Sequence, residues 1–302
     1  MKKLIDFLTN NNILFEENVD GKRLCSFHVG GQVRVVIRPK NAEQLEGVYS
    51  FLNENNIKNI VLGRGSNVVI DDDGFDGAVV SLGEISSVDF SITDENCIVA
   101  GAGASMLKLA GFAQQNGLSG LEFAHGIPGS VGGGVYMNAG AYGGELSSVL
   151  ESCLVFDKES GMLFIADADQ CDFSYRHSAF MSHKQLIIVF ATFELQKGDP
   201  NEIKAKMDEY RAKRVASQPL EFPSAGSTFK RPEGHFAGKL IEDAGLKGYT
   251  IGGAQVSEKH AGFVINRGGA SASDIKQLVQ HIQKEVKEKF DVSLECEIEF
   301  IG

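Results

Sequence analysis

The sequence predicts an α+β protein of two or three domains, and three observations carry that expectation. Short apolar runs of five to eight residues, parted by glycine and aspartate turns, fill the middle of the chain. One long amphipathic helical pattern dominates the last third. Eight of the nineteen residues from Gly126 to Gly144 are glycine, against 35 in all 302, and they interleave with Ile127, Pro128, Val131, Val135, Tyr136 and Met137, which favour burial. That stretch is a place of close backbone approach, not a flexible linker.

Taken in order, VRVVIR at 33–38 reads as a strand, and Asn41 caps a helix whose Leu45, Val48, Tyr49 and Leu52 recur at helical spacing. Strand-like runs follow at 59–63, 77–82, 97–101, 153–157 and 186–193. A single helix interrupts them, from about Ser105 to Asn116, with Gly117 placed as a C-cap. Lys197 to Pro200 is a turn-like break and a domain boundary, after which a helix from Asn201 carries Ile203, Met207 and Tyr210 on one face. From Ser273, the residues Ile275, Leu278, Val279, Ile282, Val286 and Phe290 hold helical spacing. The terminal VSLECEIEF alternates as a strand, with Glu295, Glu297 and Glu299 on one face.

At 43% hydrophobic and 23% charged the composition is that of a globular protein. A net charge of −11 argues against a general nucleic-acid or membrane-surface binder, so an anionic ligand has to be held by local donors. Five scattered cysteines, none in C-x-x-C, suit neither a disulfide framework nor a zinc site, and a reducing cytoplasm is the expected location. Asp6 interrupts the first apolar run, so no signal peptide is expected, and no run approaches the ~20 residues of a spanning helix. No metal site is expected.

Two shorter glycine turns precede the long one: Gly63-Arg64-Gly65-Ser66-Asn67 and Gly101-Ala102-Gly103. Neither completes G-x-G-x-x-G, because Val68 and Met106 stand at the third glycine, and no P-loop motif exists. Each short loop alone reads as a tight turn. Together the three loops, with Arg64, Ser66, Asn67, Ser130 and Asn138, supply amide, hydroxyl and guanidinium donors suited to a diphosphate and to the polar edge of a flavin. Ser227 and Arg176, taken alone, read as a solvated turn serine and a surface cation, and no nucleophile elbow is present.

The segments SYRHS (174–178), QPLEFPSAGSTFKRPEGHFAGKLIEDAGLKG (218–248), VSEKHAGFVIN (256–266) and VSLECEIEFIG (292–302) resemble motifs of the UDP-N-acetylenolpyruvoylglucosamine reductase family (UDP-N-acetylmuramate dehydrogenase, MurB). LGRGSN and GIPGSVGGGVYMNAGAYGGE resemble that family's FAD-binding loops. The likeness runs in order from about residue 26 to the C-terminus, in the family's shorter class. It implies a three-domain α+β flavoprotein: a two-part FAD-binding region of the vanillyl-alcohol-oxidase/PCMH type, at 1–57 and 58–198, and a C-terminal α+β substrate domain at 199–302, whose last strand packs back on the FAD region.

The implied activity is an FAD-containing, NADPH-dependent reduction of UDP-N-acetylglucosamine enolpyruvate to UDP-N-acetylmuramate for peptidoglycan precursor synthesis. Hydride passes from reduced flavin N5 to the enolpyruvyl β-carbon. By resemblance Ser227 gives a proton to the α-carbon, while Arg176 and Glu297 stabilise the enolate-like intermediate. Such a role for Glu297 asks for a carboxyl kept protonated in the occupied site.

The resemblance places noncovalent FAD on Gly63, Arg64, Gly65, Ser66, Asn67, Gly126, Pro128, Gly129, Ser130, Gly132, Gly133, Asn138, Ala139, Gly140 and Arg231, and substrate on Tyr175, Lys239, Lys259, His260 and Asn266. Lys213 and Arg214 are nearby cations, Ser217 leaves open which cation meets the pyrophosphate, and His125 beside the flavin loop reads as structural. A cytoplasmic monomer is expected. The rival enzyme reading is a flavin-dependent sugar or alcohol oxidase of the same FAD-binding architecture; a non-enzymatic nucleotide-binding module is the rival from another class.

Overall fold

In the computed structural model, which describes residues 1–84 and 90–302, the chain folds as two compact units. The first comprises Met1–Glu17, Val35–Arg64 and Gly77–Ala212; the second comprises Asn18–Arg34, Gly65–Asp76 and Lys213–Gly302. The three stretches expected from the sequence partition the chain differently: Asn18–Arg34 and Gly65–Asp76 fold with the C-terminal third. The chain passes from one unit to the other five times, inside the strands Leu14–Asp20, Gln32–Arg38 and Phe75–Ser81, inside the helix Pro200–Ser217, and in the glycine loop between Arg64 and Gly65.

In the first unit, helix α1 (Lys2–Asn10) buries Leu4 and Leu8 in the same core as Leu45, Val48, Tyr49 and Leu52 of helix α2 (Ala42–Glu54). Helix α2 starts where the Asn41 side chain accepts the Gln44 N–H at 2.9 Å. Asn59–Leu62 runs parallel to Ala78–Ser81 within a four-stranded sheet ordered Leu14–Asp20, Gln32–Arg38, Phe75–Ser81, Asn59–Leu62. A five-stranded antiparallel sheet follows the order Leu163–Asp167, Leu150–Asp157, Leu186–Glu194, Cys97–Gly101, Phe90–Asp94. Helix α3 (Met106–Gln115) buries Met106, Leu109, Ala110 and Ala113, and Gly117 beyond it takes φ +67, as its place after the helix requires.

Besides α1 and the helix Ala237–Asp243, two short helices were not read from the sequence, α4 (Val131–Tyr136) and α5 (Ala179–Ser182). Helix α4 reads VGGGVY, and each interior glycine disfavours helix by about 1 kcal/mol. Packing overrides propensity here: a Cβ on Gly132 would lie 2.8 Å from the Ala102 Cβ, and one on Gly134 would lie 2.9 Å from the Leu146 Cδ1. Helix α6 (Pro200–Ser217) buries Ile203 and Met207 as expected.

In the second unit, helix α7 (Ala237–Asp243) and helix α8 (Ala272–Phe290) share a core with the three-stranded antiparallel sheet Thr250–Ile251, Ala254–Val256, Val264–Asn266. Helix α8 buries Ile275, Leu278, Val279, Ile282 and Val286, while Phe290 stays exposed. Its start is fixed twice. Ser271 and Asp274 form a reciprocal cap, and Asp72 accepts the N–H groups of Ala272 at 2.7 Å and Ser273 at 2.9 Å. Burial opposes ionisation of Asp72, but the donations from Ser273 and Ala272 outweigh it and hold the carboxyl below its usual range. This stabilisation is present above the unfolded carboxylate pKa of about 4 and is lost as pH falls through the lower folded value. Asp72→Asn is expected to reduce stability at neutral pH by about 1 kcal/mol, as for loss of a cap, and to flatten the acid limb of a thermal-unfolding pH profile; an unchanged profile contradicts the cap.

The terminal strand is shorter than its alternation implies. Only Glu299–Ile301 pairs, in parallel with Val68–Ile70, a segment inside the stretch expected as the second FAD subdomain. Residues 292–298 keep Leu294 and Ile298 buried, yet among the described residues they form a single bridge, Phe229 to Cys296, and no continuous ladder. Among the described residues no helix is long and apolar enough to cross a membrane.

Candidate active site

The strand Asn59–Leu62 runs into Gly63 and Arg64, both exposed. A Cβ on Gly63 would meet the Ser130 hydroxyl at 2.3 Å, so the first glycine loop lies against the start of α4. Arg64 ends the first unit and Gly65 opens the second portion of the loop. Gly65 takes φ +64, its carbonyl accepts the Ser26 N–H at 2.9 Å, and a Cβ there would fall 1.8 Å from the Leu24 carbonyl oxygen. Among the described residues nothing accepts the backbone N–H of Arg64, Gly65, Ser66 or Asn67.

The central loop divides its amides. Val131 donates to the Ala104 carbonyl at 2.9 Å, Gly132 to Ala102 at 2.8 Å and Gly133 to the Ser130 hydroxyl at 3.3 Å, so these three serve the chain's own packing. The N–H groups of Gly129 and Ser130 have no acceptor among the described residues. Gly126 closes the 3₁₀ turn Glu122–Gly126, Pro128 and Gly133 are exposed, and Ala139 is buried. His125 is half-buried, and burial, with Arg211 nearby, lowers its pKa.

A dinucleotide such as FAD needs clustered donors for its diphosphate beside backbone that no side chain obstructs. Within the first unit the unengaged amides of Arg64, Gly129 and Ser130, with bare backbone at Gly63 and Gly133, meet both needs, and Gly65 to Asn67 give the second unit a run of unengaged amides of its own. The residues present fit that group.

Arg176 stands at the tip of a two-residue turn. Ser174 and His177 exchange backbone hydrogen bonds of 3.2 Å, leaving Tyr175 and Arg176 between them, with Arg176 at φ +53. The arginine Nη2 donates to the Gly140 carbonyl at 2.7 Å, and the guanidinium carbon lies 5.1 Å from the Tyr175 ring centroid. Asn138, fully buried, donates through Nδ2 to the Ser174 carbonyl at 3.0 Å and accepts the Ser147 N–H at 2.9 Å. Both ends of that amide are engaged inside the protein.

In the second unit, Ser227 is exposed between Gly226, at φ +76, and the fully buried Thr228. Thr228 is a junction the sequence reading missed. Its N–H donates to the Gly262 carbonyl at 2.9 Å, its hydroxyl accepts the Val264 N–H at 3.0 Å, and its carbonyl accepts the Glu297 N–H at 2.9 Å. Asn67 holds Glu297 from the other side, donating through Nδ2 to its carbonyl at 2.9 Å. Ser227 and Glu297, far apart in sequence, are thus brought together through one threonine. The Cys296 thiol beside them donates to the Thr228 carbonyl at 3.5 Å, and burial pushes its pKa up to about 11.

The remaining candidates divide. His260 accepts the Gly262 N–H on Nδ1 at 3.1 Å, and burial lowers its pKa, so the ring sits beside the Thr228 junction as a neutral group. Asn266 donates to the Phe27 carbonyl at 2.9 Å and accepts from Gly268 and Ala270, a wholly internal set. Lys239 pairs with Asp243 at 2.6 Å, and Lys259 donates to the Val215 carbonyl at 2.7 Å. Arg231 lies over the Phe236 ring at 4.7 Å and lines an open cavity of about 440 Å³ with Lys230, Glu233, His235, Asp291 and Glu295.

Residues 33–166 match the model of an FAD binding domain family, and residues 218–301 match that of the UDP-N-acetylenolpyruvoylglucosamine reductase C-terminal domain. A UDP-N-acetylenolpyruvoylglucosamine reductase of Clostridium novyi (strain NT) is 47% identical over 301 residues, covering 100% of this chain and 96% of the relative. One of Listeria innocua serovar 6a is 49% identical over 273 residues, 90% of each chain. The crystal structure of UDP-N-acetylenolpyruvylglucosamine reductase (MurB) from Thermus caldophilus aligns with a TM-score of 0.81 at 32% identity, covering 96% of this chain and 100% of that one. The chain therefore belongs to the UDP-N-acetylenolpyruvoylglucosamine reductase family, FAD-binding oxidoreductases whose α+β architecture it shares.

Proposed function

We propose that the protein reduces UDP-N-acetylglucosamine enolpyruvate to UDP-N-acetylmuramate, with NADPH as reductant and noncovalent FAD, as a cytoplasmic monomer supplying peptidoglycan precursors. The observation that carries this reading is the tie through Thr228 between Ser227 and Glu297, inside the segment that matches the reductase C-terminal domain. The chemistry that bound FAD supplies is hydride transfer from NADPH to the enolpyruvyl β-carbon. The amides of Arg64 to Asn67, Gly129 and Ser130 would hold its diphosphate.

Negative charge then grows on the substrate's α-carbon and carboxylate. The Arg176 guanidinium meets that carboxylate in a fork, a preorganised contact that contributes about 3–4 kcal/mol where charge develops. Ser227 delivers a proton to the α-carbon: a hydroxyl is a weak acid toward water, but a carbanion is basic enough to take its proton within hydrogen-bond reach. Glu297, in its protonated form, donates to the enolate oxygen. Tyr175 and His260 flank the substrate, and Lys239 and Lys259 reach its phosphates by leaving Asp243 and the Val215 carbonyl.

The test is NADPH consumption by the FAD-loaded protein. Oxidation that depends on the enolpyruvyl substrate and yields UDP-N-acetylmuramate supports the reading. Oxygen uptake driven by a free sugar, with no response to NADPH, contradicts it.

A further inference from the structure

One short segment, Tyr136 to Gly140, grips the Arg176 turn at three points. The Tyr136 carbonyl accepts the Ser178 hydroxyl, the Asn138 amide donates to the Ser174 carbonyl at 3.0 Å, and the Gly140 carbonyl accepts the arginine's own Nη2 at 2.7 Å. Ser178 and Asn138 are both fully buried, so two of these fastenings are shielded from water. The turn needs such support, because Arg176 is held at φ +53, a left-handed conformation that costs a residue with a side chain about 1–2 kcal/mol.

Asn138 acts on the turn through its side chain, while the Tyr136 and Gly140 main-chain carbonyls accept from Ser178 and Arg176. Asn138 is itself at φ +44, where asparagine is one of the few residues readily accommodated, and its Oδ1 is anchored by the Ser147 N–H at 2.9 Å. An amide with both ends engaged and no exposed surface has no group to offer a ligand. We infer that Asn138 is a positioning residue for Arg176: it fixes the backbone of the turn while Gly140, two residues on, fixes the guanidinium, so one loop sets both ends of the arginine.

The inference deepens the proposed function and rests on its assignment of Arg176 to the substrate carboxylate. Without the Asn138 donor the Ser174 carbonyl loses its buried partner, the turn relaxes from its left-handed conformation, and the guanidinium moves off its carboxylate-binding geometry. The effect should fall on ligands that carry a carboxylate and pass through Arg176 alone.

A double-mutant cycle with Asn138→Ala and Arg176→Ala in the FAD-loaded protein tests this, read out both as substrate-driven reoxidation of the reduced protein and as calorimetric binding. In the parent background, Asn138→Ala is expected to slow reoxidation about ten- to thirtyfold; in the Arg176→Ala background it should add less than about twofold. Binding of UDP-N-acetylglucosamine enolpyruvate should weaken, while UDP-N-acetylglucosamine, which lacks the carboxylate, binds both proteins alike.

Equal slowing in the two backgrounds overturns the inference, as does loss of FAD from Asn138→Ala at unchanged thermal stability, which would make the residue a cofactor contact. If Asn138→Ala does not accumulate as folded protein, Asn138→Gly carries the same cycle, because glycine takes the left-handed backbone there without strain while the side-chain donor to Ser174 is removed. Should Arg176→Ala itself reoxidise at the parental rate, the assignment beneath the inference fails first, and the two failures are told apart.

Discussion

Ser227→Ala is expected to leave reduction of the flavin by NADPH within about twofold of the parent and to slow reoxidation by the enolpyruvyl substrate about 10³-fold or more, within the range for loss of a positioned proton donor. The asymmetry follows from chemistry: only the second half-reaction creates a carbanion. Structurally the substitution is mild, since Ser227 is exposed and its neighbour Thr228 carries the hydrogen bonds that hold the segment. The fold and the Glu297 tether should therefore survive, and rapid-mixing absorbance of each half-reaction gives the answer. Equal loss in both halves would move Ser227 from chemistry to packing.

Gly65→Ala carries the largest expected structural effect. A Cβ would stand 1.8 Å from the Leu24 carbonyl oxygen, on a residue at φ +64, so both main-chain segments have to part and the bond from the Ser26 N–H to the Gly65 carbonyl is broken. A destabilisation of about 3 kcal/mol or more is expected, from the left-handed strain and the backbone clash together, with loss of flavin because the amides of Arg64 to Asn67 no longer line up. Gly143→Ala is the control. Gly143 is also left-handed, at φ +86, but a Cβ there has nothing within 4 Å, so only the conformational cost of about 1–2 kcal/mol applies. Thermal unfolding and the ratio of flavin to protein absorbance distinguish the two; matching losses contradict the close approach at Leu24.

What the sequence disclosed, and what it hid, follows from how each feature is encoded. Helices α2 and α8 were legible because burial repeats at helical spacing over several turns, and a chain need not know its partners to show that pattern. Helix α4 was hidden because three glycines oppose it, and the fit against Ala102, Leu146 and Met106 that makes Gly132 and Gly134 necessary exists only in the fold. The terminal alternation was real, but alternation reports burial on one face and not whether a ladder partner exists, so residues 292–298 are extended with one bridge.

The candidate site shows the same division. Ser227, Arg176 and Glu297 are candidates through motif resemblance alone, since a turn serine, a surface-type arginine and one of three strand glutamates carry no distinguishing local signal. Asn138 and Asn266 have the composition of ligand donors, yet both turn inward and satisfy backbone groups. Sequence specifies a donor but not the direction it points. Thr228 was missed for the converse reason: a buried threonine advertises no chemistry, and its importance lies in the Gly262, Val264 and Glu297 bonds that only the fold creates.

The most direct test of the central claim is anaerobic. The FAD-loaded protein is reduced with one equivalent of NADPH, freed of NADP⁺, and mixed with UDP-N-acetylglucosamine enolpyruvate while the flavin band is followed. Recovery of the oxidised band with stoichiometric UDP-N-acetylmuramate is the result expected, fast in the parent and nearly abolished in Ser227→Ala. A band that stays bleached with substrate bound, or that recovers equally in both proteins, would contradict the account.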